Sequence, residues 1–121
     1  MRFAVNYSTK LAELVKASKL DLDLFKCPEW VGLLKAAMAI KPVYLHLDIS
    51  VGRGQLTKLD FDRLRQLLAE TDTPHVNCHL AGTPDLKVGN KTDRNKLLKK
   101  WIKEIEVLKQ EFAGYPVISE N

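Results

Sequence analysis

From Pro42 to Ser50 the chain alternates. Val43, Leu45, Leu47 and Ile49 fall on one side of an extended backbone, and Tyr44, His46 and Asp48 on the other. These apolar and aromatic residues suit a strand, and Pro42 is tolerated only at its start. The alternation recurs over His75–Leu80, with His75, Asn77 and His79 opposite Val76, Cys78 and Leu80. Both polar sides carry imidazole, and the first adds a carboxylate two residues on. Such groups bind metals or move protons.

The remaining pattern alternates between periods of two and 3.6. Arg2–Ser8 predicts a first strand, and Ser8 or Thr9 a helix cap. Leu11, Leu14 and Val15 form the apolar face of a short helix. Leu20–Cys27 predicts the second strand. Pro28 suits a first helical position, and Trp30, Leu33, Leu34, Ala37 and Met38 keep helical spacing, with Trp30 in the core. After the third strand comes a glycine-bearing loop, Val51–Leu59. Asp60 caps a helix with Phe61, Leu64, Leu67 and Leu68 on one face, and Thr71-Asp72-Thr73-Pro74 breaks it. A second long loop, Ala81–Thr92, follows the fourth strand. The last helix carries the stripe Leu97, Leu98, Trp101, Ile102, Ile105, Leu108 and Phe112, and Ala113-Gly114-Tyr115-Pro116 stops it. Val117–Asn121 begins a fifth strand.

Strands alternating with helices predict α/β architecture with a parallel sheet. An open doubly wound sheet has strands that are apolar on both faces. Here one face carries Asn6, Tyr44, His46, Asp48, Asn77 and His79, which suits a barrel with a polar lumen. A full barrel needs about 250 residues. The chain has 121, so the prediction is one domain over residues 1–121, a parallel (βα)4β half of a TIM barrel. In parallel α/β folds function gathers at the C-terminal strand ends. His46, Asp48, His79 and Glu120 lie near those ends.

Composition narrows the setting. No apolar run reaches ~18 residues, and Met1–Ser8 lacks the apolar core of a secretory signal. Two cysteines, Cys27 and Cys78, far apart in sequence, predict free thiols and a cytoplasmic setting. A formal charge of +4 permits an anionic substrate or nucleic acid without requiring either.

On the histidines and the terminal Val-Ile-Ser-Glu-Asn, together with Phe25-Lys26-Cys27-Pro28-Glu29-Trp30, the chain resembles the N-terminal half of a xylose isomerase-like TIM-barrel protein. That superfamily joins sugar isomerases and epimerases with the endonuclease IV type of apurinic-site nuclease. The nuclease branch places metal-binding histidines at the ends of strands three and four and a glutamate at the end of strand five. The resemblance therefore implies His46, His79 and Glu120 as catalytic and metal-binding residues. It implies a divalent metal (zinc or manganese, with magnesium a third candidate) and a sugar or sugar phosphate as substrate. Its remaining ligands come from strands six to eight, which are absent here, so binding by three ligands is expected to be weak. The resemblance implies two activities, metal-dependent isomerase or epimerase and apurinic-site phosphodiesterase; a third reading, from another class, is a non-catalytic half-barrel whose only property is assembly. Open sheet edges predict a homodimer or a missing C-terminal half.

The other polar residues divide by role. Asn6, Lys26, Asp48, Arg53 and Asn77 are substrate-binding candidates. His75 stands at the start of its strand, the wrong end for chemistry. Gly52-Arg53-Gly54 lacks the lysine-serine pair of a phosphate loop. The run Lys91, Arg94, Lys96, Lys99, Lys100 and Lys103 reads as a solvated helix face, with Lys100 and Glu104 within pairing range.

Overall fold

The computed structural model describes residues 1–87 and 89–120. Among them the order is β1 (Ala4–Asn6), α1 (Thr9–Lys16), β2 (Leu24–Cys27), α2 (Val31–Met38), β3 (Val43–Leu45) and β4 (Ser50–Val51). A 3-10 turn (Leu56–Lys58), α3 (Phe61–Glu70), β5 (Val76–Leu80), α4 (Lys91–Glu111) and β6 (Val117–Glu120) follow. The chain is α/β, and all strand pairs among the described residues are parallel. They form two sheets of three strands, ordered β1-β2-β3 and β4-β5-β6. No helix among the described residues is long and apolar enough to cross a membrane.

Two compact units hold these sheets. The first comprises Met1–Leu47 and Asp62–Pro74, and the second Asp48–Phe61 and the chain from His75 onward. In the first, the Ser8 hydroxyl accepts from the Leu11 N–H at 3.2 Å and starts α1. Strand β1 is shorter than Arg2–Ser8. Its ladder runs from the Phe3 carbonyl, which accepts from Asp23 N–H, to the Tyr7 N–H, which donates to Lys26 O. Strand β2 likewise omits Leu20–Asp23. The Tyr7 ring meets Phe25 edge-on at 5.2 Å.

Helix α2 departs from its predicted start. It opens at Val31, three residues beyond Pro28, with Trp30 as its flanking residue. Trp30 is 68% exposed and Met38 45% exposed, so neither belongs to the core. The helix has only eight residues, and its buried side chains are Leu34 and Ala37 alone.

The third predicted strand divides. Its alternation holds throughout: Val43, Leu45, Leu47 and Ile49 are buried, and Asp48 is exposed. Its hydrogen bonds do not stay in one sheet. The His46 N–H still donates to Cys27 O at 2.8 Å, continuing β2-β3, whereas the Ile49 carbonyl accepts from His79 N–H at 2.7 Å, beginning β4-β5. The outer edge of β3 is closed by a side chain, because the Leu45 N–H donates to Thr73 Oγ1 at 2.8 Å. A parallel strand cannot pair where its amide is already taken. The segment that breaks α3 therefore also ends the first sheet.

In the second unit α4 packs on one face of β4-β5-β6, burying Leu97, Leu108 and Phe112. Phe112 meets Phe61 edge-on at 5.6 Å. The rest of the predicted stripe is not core: Leu98 is 50% and Ile102 54% exposed. Angle explains this. At about 3.6 residues per turn Leu108 lies about 20° around the helix from Leu97, whereas Leu98 lies about 100° and Ile102 about 140° from it. Both stand along the axis between buried residues but off the side that meets the sheet.

Candidate functional site

Register aligns polar side chains in each sheet. In a parallel pair, partners in register point to the same face about 4.8 Å apart. Asn6 pairs Lys26, and Lys26 pairs Tyr44, giving one polar row across the first sheet. The Tyr44 hydroxyl accepts from Arg2 at 2.7 Å. His46 lies two residues beyond Tyr44 and is half-buried.

The second sheet repeats the arrangement with more reactive groups. Ser50 pairs His79, and His79 pairs Glu120. All three are half-buried and stand at the C-terminal ends of β5 and β6 and at the start of β4. His79 and Glu120 offer ligand atoms within 4.8 Å of each other. Atoms bound to one zinc at about 2.1 Å are at most ~4.2 Å apart, so a small side-chain adjustment brings this pair onto one ion. Imidazole and carboxylate also match the donor preferences of zinc and manganese. His79 and Glu120 share the second unit; His46 belongs to the first.

The other predicted residues separate. His75 precedes β5, at the opposite end from His79. Asn77 is 1% exposed, so its carboxamide serves the interior rather than an open cleft. Asn6, Asp48 and Arg53 are exposed, and Lys26 is half-buried. Asp48 and Arg53 border the same cleft of about 270 Å³, together with Ser50, Gln55 and Lys58. Arg53 and Gln55 also border a larger cleft of about 640 Å³ against Gly82, Thr83 and Pro84.

The Gly52-Arg53-Gly54 loop does bind an anion, and the anion is the protein's own. The Gly52 N–H donates to Glu104 Oε2 at 2.8 Å and the Gly54 N–H to Glu104 Oε1 at 2.9 Å. Glu104 thus holds the loop, in place of the expected pairing with Lys100. Trp101, one turn earlier, donates from Nε1 to Ala81 O at 2.9 Å. Helix α4 thereby fixes both long loops at the sheet's C-terminal end. No sequence signal links Glu104 to two glycines 50 and 52 positions away. Ser50 was readable, since it continues the parity of Tyr44, His46 and Asp48.

Cys27 and Cys78 are both buried and free. Burial raises the pKa of each thiol, and the nearby Glu120 charge raises that of Cys78 further. The thiolate is the reacting form, so a raised pKa lowers its fraction at neutral pH. Native protein at pH 7.5, roughly a unit below an ordinary thiol, should react with an aromatic disulfide reagent at least about tenfold more slowly than urea-unfolded protein. Unfolding without reductant should release both thiols. The raised folded values also contribute stability below the unfolded thiol pKa, lost as pH rises through the folded one. Equal native and unfolded reaction rates would contradict the burial of these side chains.

In comparisons with known proteins, no family model, curated protein or solved structure matches this chain.

Proposed function

We propose that the chain is part of a metal-dependent barrel protein of the xylose isomerase-like class, acting on a sugar or sugar phosphate as isomerase or epimerase. In this reading His46 is the third ligand that the family resemblance implies, beside His79 and Glu120. The observation that carries the proposal is the His79–Glu120 pair, in register at the C-terminal ends of parallel strands and within 4.8 Å. That is where parallel α/β folds concentrate chemistry.

His79 and Glu120 would hold the divalent ion, which when bound would supply polarisation of a carbonyl or hydroxyl oxygen of the substrate. The chain's own groups supply the rest. Ser50 flanks His79 and can hydrogen-bond a substrate hydroxyl. The clefts beside Ser50 and Arg53, about 270 and 640 Å³, favour a small molecule over duplex DNA. A second copy or further strands would supply the ligands that a half-barrel lacks.

Calorimetric titration of zinc and of manganese into metal-stripped protein tests the reading. The parent should bind one ion per chain. His79→Ala, Glu120→Ala and His46→Ala should each weaken binding at least about tenfold, the loss of one good ligand, with unchanged far-UV circular dichroism. If all three variants bind as the parent does, the constellation is structural. If only His46→Ala is silent, the centre belongs to the second unit alone.

A further inference from the structure

Arg53 is held in place by bonds on either side of it. The amides of Gly52 and Gly54 both donate to the Glu104 carboxylate, so the backbone flanking Arg53 is anchored to α4. Its guanidinium has no hydrogen bond or ion pair among the described residues, and its side chain borders both clefts. The smaller cleft adds Lys58, Gln55 and Ser50, with Asp48 as its one acidic group. Two cations against one carboxylate leave that cleft positive. Ser50 is also the register neighbour of His79, which places one wall of the cleft a single strand spacing from the His79–Glu120 pair.

We infer that this cleft receives the phosphate monoester end of the substrate, between Arg53 and Lys58. The planar guanidinium meets two phosphate oxygens at once, and the lysine adds a point charge. Gln55 and Ser50 supply neutral donors. Asp48 is left to accept from sugar hydroxyls, and the carbon chain extends toward His79 and Glu120. The inference rests on the reading of that pair as the reacting centre and specifies its substrate as a sugar phosphate.

The test is binding of inorganic phosphate to the metal-stripped chain at fixed ionic strength, followed by phosphorus NMR. Saturable binding is expected. Arg53→Ala should weaken it at least about tenfold, Lys58→Ala less, and Arg53→Lys should fall between Arg53→Ala and the parent. His79→Ala should leave phosphate binding unchanged, since no metal is present. This separates the inference from the metal reading: a parent chain that binds phosphate but no zinc would sink only the latter. Ribose 5-phosphate should compete with phosphate, and a DNA duplex at equal phosphate concentration should not. Arg53 is exposed, so its variants should keep the parent's melting temperature. Absence of saturable binding, Arg53→Ala binding like the parent, or competition by the duplex alone would each overturn the inference.

Discussion

Replacing Gly52 by alanine is expected to destabilise the fold by about 3 kcal/mol or more, from a positive-φ penalty of ~1–2 and an overpacking cost of ~1–3. Gly52 has φ +106°, and a Cβ there would lie 2.5 Å from the Ala81 carbonyl oxygen and 2.5 Å from Trp101 Nε1. Those two atoms are already joined by the hydrogen bond from Trp101 to Ala81. Neither can yield without breaking it, and the Gly52 N–H must also keep its bond to Glu104. Gly54 is the control. It too has a positive φ, +70°, but its Cβ direction is open. Gly54→Ala should cost only about 1 kcal/mol, the backbone part of the penalty. Equilibrium urea unfolding of both variants measures the difference. Equal losses would mean that the close approach of β4, the Ala81 loop and α4 does not govern stability.

Thr73→Val should cost about 1–3 kcal/mol, the range for a buried polar group left without its partner. The hydroxyl chain has one direction. Thr71 Oγ1 donates to Leu67 O at 2.8 Å, so in the 2.6 Å contact between the two hydroxyls Thr73 must be the donor. Thr73 Oγ1 in turn accepts from Leu45 N–H. Valine keeps the shape and removes the oxygen, leaving the Leu45 amide and one Thr71 acceptor site unsatisfied. Thr73→Ser should recover most of the loss. Thr71→Val combined with Thr73→Val should be less than additive, because both act on one chain of bonds. Amide hydrogen exchange adds a local readout: Leu45 should lose protection in Thr73→Val beyond the global change. A valine variant as stable as the parent would show that this edge needs no closing partner.

Much of the local structure follows from the sequence alone. The alternation through Val43, Leu45, Leu47 and Ile49 determines which side of the backbone is buried, because side-chain direction along an extended chain has a period of two whatever the partner strand. Ser8 as a cap and Leu64, Leu67 and Leu68 as a buried face are local in the same way. The register of His79 with Glu120 was also within reach, since both stand at the ends of successive parallel strands.

Other features depend on partners remote in sequence. Whether Pro42–Ser50 is one strand or two depends on which edge is free, and that was decided by Thr73, 28 positions from Leu45. Trp30, Leu98 and Ile102 carry the right periodicity for a core, but periodicity does not say how wide a face of the helix its partners cover. The role of Gly52 and Gly54 depended on a carboxylate that only folding brings to their amides. In this chain the sequence by itself determined which residues face in and which local elements form, because those are set by backbone geometry and neighbouring side chains. Only the tertiary structure decided where a sheet ends, which helix face stays bare and which anion fills the glycine loop, because each requires groups that the chain order holds apart.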